Sequence, residues 1–548
     1  MTLLQSLFAL ILLAPYAPAQ LRPAVPPPGN PLTVSKARLG KALFWDEQLS
    51  STGTVSCGTC HMPEAGGSDP RAAVSIHPGA DGFFGTPDDI RGSRGVPRAS
   101  ADGNYIQHEF FGLLEQVTPR RAPSAIAAGY SKHLFWDGRA GESLIDPVTG
   151  NVVLSVGAAL EAQALGPIVS AVEMGHLGRT WAEVITRLQG SQPLDLSDVV
   201  PATLAQWIGT RSYSELFHEA FGSNEISAVR IAMAIASYER TLTPNRSPWD
   251  LVLAGVPIDL VLTPEERAGV LVFLDPDQAN CGACHSTGTG TVRFTDDLFH
   301  NIGATPVHED LGRFNLTGRE RDRGAFKTPE LRNVELRAPY MHDGSIDSLA
   351  GVIAFYDEGG TFDAPNKHPA IRKLDLSADQ KRALHAFISR PLTDPRVAAG
   401  TFPFDRPSQY ADSQHVPEHF GHATGGSAGF SPTIIALEPP KLGVSDLTIG
   451  LDHAVGGAQA LLLINVQETP GGVLRSGALL YPSLQGVSIV SVPATNGVGP
   501  GEGWASVVLS VPGDISLLGT PVFAQWVVLD SGAASRLAAT EAIRWSWY

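Results

Sequence analysis

All four cysteines of the 548-residue chain occur in two copies of one motif. The copies are Cys57-Gly58-Thr59-Cys60-His61 and Cys281-Gly282-Ala283-Cys284-His285. Cys-x-x-Cys-His is the attachment site of c-type haem, in which both thiols form thioethers and the histidine binds the iron. A zinc site needs four ligands, and a thioredoxin-like pair needs a βαβ unit, so both alternatives fit poorly. The sequence therefore predicts two covalently bound haem c groups, with His61 and His285 as iron ligands.

The N-terminus has the features of an export signal. Residues 7–13 form a short apolar run, and Ala17-Pro18-Ala19 resembles a signal-peptidase site. We therefore predict a signal peptide over residues 1–19, cleaved near Ala19, and a periplasmic or secreted protein. The apolar run is too short to predict a membrane span. Export agrees with the haem motifs, because bacterial c-type haem is attached outside the cytoplasm.

Composition narrows the range of partners. The chain carries 55 acidic and 39 basic residues, a net charge of −16, which argues against nucleic acid. An acidic surface is compatible with a basic electron donor, although a charge excess is usually only a solvated surface. The length suggests about three domains.

The elements around the motifs predict a mainly α-helical protein with two cytochrome c-like haem domains, residues 30–245 and 246–395. Thr263-Pro264-Glu265-Glu266 is a capping box, and Ser377-Ala378-Asp379-Gln380 repeats it before a run of apolar residues at helical spacing. Both patterns mark the start of a helix.

The last part of the chain has a different character. Residues 396–435 are rich in Pro, Gly, Ser and His and are predicted to be a linker. Residues 436–548 contain short apolar and β-branched runs, at 460–464, 487–492, 505–511 and 522–529, separated by Gly, Pro and Asn. This pattern predicts a C-terminal all-β sandwich with an accessory role.

Several stretches between residues 30 and 395 resemble the bacterial dihaem cytochrome c peroxidases and their relative MauG, the methylamine-utilisation enzyme. The resemblance is carried, in the family's order, by residues 39–46, 135–140, 294–303, 326–333 and 338–344. It implies that the haem of His61 is the peroxide site and that electrons arrive through the haem of His285. It does not extend to the last 150 or so residues.

The resemblance also implies which side chains act at the peroxide site. It assigns Gln163, Pro167 and Glu173 to the side where peroxide binds, and Trp136 to the region between the haems. Cleavage of HO–OH requires a proton to move from the inner to the outer oxygen, and a carboxylate can carry it. Without the resemblance, Glu173 would be interpreted as an ordinary helix-surface acid.

The second haem needs an axial ligand opposite His285. In the peroxidases this ligand is a methionine, and alignment of residues 349–357 places Tyr356 there, as in MauG. A phenolate is a hard anionic ligand that lowers the potential of the iron relative to methionine. Met341 is a rival, but it takes the place of a family aromatic, so Tyr356 is favoured.

The sequence departs from the family pattern in two places. Peroxidases that need reductive activation carry a blocking histidine on a loop, whereas residues 113–123 contain none; His77 and His108 lie upstream. Arg121 stands where the family has an asparagine that binds calcium. A guanidinium cannot ligate a cation, so calcium is doubtful.

Together these features predict a dihaem peroxidase that reduces hydrogen peroxide to water with electrons from a small redox protein, a cytochrome c or a cupredoxin. A MauG-like enzyme that oxidises side chains of a partner protein is the first alternative. A non-enzymatic dihaem electron carrier is the second.

Overall fold

The computed structural model describes residues 21–287, 292–444 and 446–548. The predicted signal peptide, residues 1–19, lies outside the described residues. Within these ranges, no helix has the length and apolar character needed to cross a membrane.

The first half of the chain forms a helical unit around one buried core. Its helices are α1 (Val34–Trp45), α2 (Cys57–Cys60), α3 (Ala159–Val169), α4 (Trp181–Gly190), α5 (Ala202–Ile208), α6 (Tyr213–Phe221) and α7 (Ala228–Glu239). Helices α1 and α7 pack closely because Gly40 has no side chain. A Cβ at this position would lie 1.8 Å from the carbonyl oxygen of Ala234.

A second helical unit follows. Its helices are α8 (Pro248–Leu253), α9 (Ile258–Val261), α10 (Pro264–Leu274), α11 (Phe314–Thr317), α12 (Leu349–Asp357), α13 (Ala378–Ile388) and α14 (Pro395–Ala398). Gly269 allows close packing of α10 against α13, as Gly40 does for α1 and α7. A Cβ at residue 269 would lie 2.0 Å from the carbonyl oxygen of Ala383. The capping boxes predicted at Thr263 and Ser377 are both present.

Four short antiparallel strand pairs join these helices. They are β1 (Ile76–His77) with β2 (Ile90–Arg91), β3 (Arg94–Pro97) with β4 (Glu115–Val117), β5 (Leu144–Ile145) with β6 (Val152–Leu154), and β7 (Phe299–His300) with β8 (Phe326–Lys327). The β3–β4 pair lies against the segment that follows α3, because the backbone N–H of Val96 donates to the carbonyl of Val172 at 3.2 Å.

The C-terminal part of the chain consists of strands. They are β9 (Glu418–Phe420), β10 (Thr433–Ile435), β11 (Leu447–Val455), β12 (Ala460–Asn465), β13 (Glu468–Arg475), β14 (Ala478–Pro482), β15 (Ser488–Val492), β16 (Pro500–Leu509), β17 (Pro521–Val528), β18 (Ala538–Ala539) and β19 (Ala542–Ser546). The four runs predicted as strands overlap β12, β15, β16 and β17. We call residues 418–548 the C-terminal β-region.

Two sheets of this region share one core. One has the strand order β10-β11-β16, and the other has β15-β12-β17-β19-β9 with β18 beside β17. Ile449 of the first sheet is buried in the same cluster as Leu462 and Trp526 of the second. Trp526 also donates its indole N–H to the carbonyl of Gly450, 3.0 Å away.

The predicted linker, residues 396–435, contains two of these strands. β9 pairs with β19, and β10 pairs with β11, so the segment from residue 418 onward is part of the C-terminal β-region. The prediction missed both strands because they are only three residues long and are surrounded by Gly, Pro and Ser. Glu418 pairs with Arg544, far along the chain, where a local pattern cannot reveal the partner.

Candidate functional site

One continuous cavity in the described part of the structure is lined by both Cys-x-x-Cys-His motifs. Its volume is about 1620 Å³, larger than the roughly 300–1000 Å³ of a typical pocket for one small ligand. All four cysteines are free thiols. The cavity therefore has room for more than one cofactor between the two motifs.

The first motif is held in a helical turn. Ser56 and Thr59 form a capping box at the start of α2, and Gln409 donates its amide N–H to Thr59 Oγ1 at 2.7 Å. His61 Nδ1 lies 3.1 Å from the carbonyl oxygen of Gly67. A histidine that uses Nδ1 in this way presents Nε2 to a metal. We call this end of the cavity the first haem site.

The second motif has the same proximal arrangement. Cys281–Ala283 forms a 3-10 turn after α10. His285 Nδ1 lies 2.8 Å from the carbonyl oxygen of Phe294, which again leaves Nε2 for iron. The donors, the free thiols and the cavity thus fit two haem c groups. We call this end the second haem site.

A cluster of possible metal ligands adjoins the second motif. The ligand atoms of Cys284, Asp296 and His300 lie within 4.8 Å of one another. His300 Nε2 is 2.9 Å from a carboxylate oxygen of Asp296. Thioether formation would use the sulfur of Cys284, so this cluster belongs to the second haem site.

The structure brings Gln163, Pro167 and Glu173 together on the wall of the cavity. Pro167 lies inside α3 and has no N–H, so the carbonyl of Gln163 lacks its usual helical hydrogen bond. The helix ends at Val169, and the turn that follows carries Glu173, whose backbone N–H donates to Ser170 Oγ at 3.4 Å. The proline thus lies between Gln163, inside the helix, and Glu173, in the turn that follows it.

Glu173 is close to the first motif. Burial, then the charge of Glu239, and then that of Glu173 raise the pKa of the Cys57 thiol to about 12. Burial also raises the pKa of Glu173 itself, while a hydrogen bond from Ser170 and the charge of Arg139 oppose this rise. A carboxyl group with a raised pKa is suited to exchanging protons closer to neutral pH.

Sequence reasoning missed the residues that hold Glu173 in place. Gln116 on β4 donates its amide to the carbonyls of Val96 and Ala171, at 3.1 and 2.7 Å. Gly95 on β3 leaves room for the same segment, because a Cβ there would lie 1.9 Å from the oxygen of Val172. No motif marks these residues, since each acts only through a contact distant in sequence.

Arg179 provides a second support for this segment. It is buried, and one of its nitrogens donates to the carbonyls of Leu49, Ile168 and Met174 at 2.7 to 3.0 Å. Two of these carbonyls flank the turn that carries Glu173. The guanidinium therefore ties the end of α3 to the segment after α1.

Glu239 is another carboxyl group that the sequence did not single out. It is buried at the end of α7, lines the cavity, and has one oxygen without a hydrogen-bond partner among the described residues. Burial raises its pKa to about 8, although the charge of Arg240 opposes the shift. Burial therefore favours the neutral form of the Glu239 carboxyl group, which faces the cavity.

Trp136 lies where the two helical units meet. Its indole N–H donates to the carbonyl of Arg121 at 2.8 Å, and its own carbonyl accepts from the backbone N–H of Lys327 at 2.8 Å. Its ring packs edge-on against His342, with ring centres 6.4 Å apart. Trp136 also lines the cavity that joins the two motifs.

Tyr356 and Met341 both line the cavity. Tyr356 lies in the last turn of α12, and burial followed by the charges of Cys281 and Cys284 raises the pKa of its phenol. The phenol therefore lies within electrostatic range of the two thiols of the second motif. Met341 adjoins His342, the residue that packs against Trp136. Tyr356 and the second motif therefore line the same cavity, and the role of Tyr356 as an iron ligand stays a prediction.

The place of the family's calcium ligand is occupied by a buried cation. Arg121 is 5% exposed, and it donates a hydrogen bond to the carbonyl of Arg337. Burial and the positive charge of Arg337 lower the pKa of Arg121 to about 10, so it remains charged at neutral pH. A divalent cation beside two guanidinium groups would be repelled, and these residues do not fit a calcium site.

The two upstream histidines lie in different surroundings. His77 lines the cavity, whereas His108 packs against Phe111 with ring centres 4.9 Å apart. His108 Nδ1 accepts the backbone N–H of Phe110 at 3.1 Å. In this arrangement one nitrogen of His108 is already engaged within its own loop.

Comparison with known proteins gives a consistent result. Residues 34–257 match the family model described as di-haem cytochrome c peroxidase. Methylamine utilization protein MauG of Methylophilus methylotrophus is 33% identical over 362 residues, which cover 66% of this chain and 80% of that protein. Cytochrome c551 peroxidase of Pseudomonas aeruginosa is 28% identical over 331 residues, covering 60% of this chain and 72% of the peroxidase.

A solved structure of a MauG-like protein associated with microbial copper homeostasis is 28% identical. The match covers 72% of this chain and 97% of the solved chain, with a TM-score of 0.49. The family signature agrees with the two proximal histidines, the free thiol pairs and the shared cavity, and it implies two covalently bound haem c groups. The chain belongs to the dihaem cytochrome c peroxidase and MauG family.

Proposed function

We propose that this protein is an exported dihaem peroxidase that reduces hydrogen peroxide to water at the first haem site. The observation that carries the proposal is the position of Glu173, Gln163 and Pro167 on the wall of the cavity beside the first motif. In its finer layout, residues 30–245 and 246–395 are two cytochrome c-like haem domains, and a β-sandwich serves as an accessory domain.

Reduction of one peroxide to two waters consumes two electrons and two protons. The bound haem groups supply the redox chemistry. Glu173 accepts the proton of the inner peroxide oxygen and returns it to the outer oxygen, which leaves as the first water. The inner oxygen then takes up the two electrons and two protons and leaves as the second water. Gln163, whose side chain also faces the cavity, orients the peroxide through its amide.

Electrons reach the second haem site from a small redox protein, a cytochrome c or a cupredoxin. Trp136 lies at the junction of the two units and lines the cavity between the motifs, so its indole is positioned to assist transfer between them. Tyr356 would hold the iron of the second haem together with His285, and the positive iron would stabilise the deprotonated phenol, whose pKa burial raises.

A steady-state assay tests the proposal. The purified dihaem protein is mixed with hydrogen peroxide and a reduced small cytochrome c, and donor oxidation is followed. We expect turnover that depends on peroxide and is lost in His61→Ala. Two electrons delivered to the protein without any peroxide consumption would instead identify a plain electron carrier.

A MauG-like activity on a partner protein is the second candidate. Tyr356 beside the second motif and the absence of histidine from residues 113–123 favour it. This activity predicts that peroxide drives a covalent change in side chains of the partner, which mass spectrometry detects. Tyr356→Met should suppress that change and preserve reduction of peroxide.

A further inference from the structure

The loop formed by residues 98–114 connects β3 to β4 and leads directly to the support of Glu173. The N–H of Val96 donates to the carbonyl of Val172 at 3.2 Å, and Gln116 donates to the carbonyl of Ala171. At the start of the loop, the carbonyl of Ala99 accepts the N–H of Leu177 at 2.9 Å. Both ends of the loop are thus tied to the segment that carries Glu173.

The outer side of the same loop is bound by the C-terminal β-region. The backbone N–H of Tyr105 donates to Ser506 Oγ at 2.9 Å, and that of Leu113 donates to a carboxylate oxygen of Asp452 at 3.2 Å. The phenol of Tyr105 donates to Glu438 at 3.1 Å. Each of these hydrogen bonds joins residues that are far apart in the chain.

Buried apolar contacts reinforce these bonds. Tyr105 and Leu113 are at most 1% exposed and form one cluster with Ile435 of β10. Gly450 on β11 makes room for them, because a Cβ there would lie 3.2 Å from Leu113 and 3.4 Å from Tyr105. Loop and sheet therefore pack as closely as two parts of one core.

We propose that the C-terminal β-region acts as a clamp on the 98–114 loop and thereby positions Glu173 at the first haem site. Without the clamp, the loop would keep its attachments at the two ends of the β3–β4 pair and its ring contacts with His77 and Phe84. Ser506 and Asp452 are then positioning residues, which act on the site through the loop. The catalytic part of this inference rests on the function proposed for Glu173.

Amide hydrogen exchange on the full-length dihaem protein tests the clamp directly. The double variant Ser506→Ala with Asp452→Ala removes both acceptors and leaves the sequence of the loop unchanged. Loss of a hydrogen-bond partner for a buried N–H should raise exchange at Tyr105 and Leu113 by about 10- to 100-fold. Ser488→Ala, an exposed substitution on β15, is the matched control and should leave exchange unchanged.

Three further measurements separate positioning from general loss of structure. Amides of α7 and β17 should exchange as in the parent protein, and Asp452→Asn, which keeps one acceptor oxygen, should restore most of the protection at Leu113. The pH dependence of the reaction with peroxide should also change in the double variant. Water entering beside Glu173 would move its low-pH limb to lower pH.

Unchanged exchange at Tyr105 and Leu113 would overturn the clamp. Faster exchange with an unmoved low-pH limb would overturn the link from the loop to Glu173. The exchange result does not depend on turnover, so a clamp can be established even if the protein does not reduce peroxide.

Discussion

Replacement of Glu173 by Gln tests the proposed chemistry most directly. The two side chains have nearly the same volume, and the backbone N–H of residue 173 can still donate to Ser170 Oγ. Gln116, Gly95 and Arg179 hold the surrounding backbone through contacts that do not involve the carboxyl group. The substitution therefore removes a proton acceptor without opening a cavity.

The expected loss of rate in Glu173→Gln therefore reflects the missing carboxylate alone. Removal of one general acid–base group slows a reaction by about 10²- to 10⁴-fold, or about 3 to 5 kcal/mol in activation free energy. The parent rate should fall as the pH is lowered through the pKa of Glu173, because only the carboxylate accepts a proton. Burial raises that pKa, so the fall should begin at a higher pH than for an exposed glutamate.

Stopped-flow absorbance of the oxidised dihaem protein mixed with peroxide measures this rate. Glu173→Gln should be slow at every pH and lack the low-pH limb, while both haems stay attached. Glu225→Gln, at an exposed position before α7, is the control and should behave like the parent. A parent-like rate and pH profile in Glu173→Gln would refute the assignment, and Gln163 would then be the next residue to replace.

Four other outcomes are expected. Intact mass should show two haems in the parent and one after Cys57→Ala with Cys60→Ala; a parent without any haem would contradict the whole interpretation. The oxidised protein should react with peroxide without prior reduction, and His108→Ala should not change this; activity only after half-reduction would show that a histidine blocks the iron. Tyr356→Met should raise the potential of the second haem in a redox titration, and an unchanged potential would point to another ligand. Burial raises the pKa of Glu47 from 4.5 to about 8, so between these values the native state holds a proton that the unfolded state has lost. The free energy of unfolding should therefore fall as the pH rises from 5 to 8, by up to about 1.4 kcal/mol per pH unit. Glu47→Gln should reduce this pH dependence in thermal melts.

Much of the site follows from the sequence because its chemistry is encoded locally. Each haem motif occupies five consecutive residues. The capping boxes at Thr263 and Ser377 each indicate the start of a helix within four residues. The supports of Glu173 are different in kind. Gln116 reaches a carbonyl 55 residues away, and Arg179 reaches one 130 residues away. Such partners are defined by the packing of helices and strands, which a single sequence does not display.

The contact between the loop and the C-terminal β-region was hidden for the same reason. The sequence predicts strands after residue 436 but contains no sign of the surface against which they pack. Tyr105 and Leu113 look like ordinary loop residues until the sheet covers them. Their burial is a property of the assembled chain.

The buried guanidinium of Arg121 has a consequence for the environment in which the protein works. A bound ion stabilises a fold only in proportion to its concentration relative to its dissociation constant. A charge that is part of the chain has no dissociation constant, so chelators and dilution cannot remove it from the junction of the two haem units. The guanidinium stays protonated throughout the neutral range of pH, although burial lowers its pKa. The positive charge that Arg121 brings to this junction therefore does not depend on the concentration of any dissolved ion.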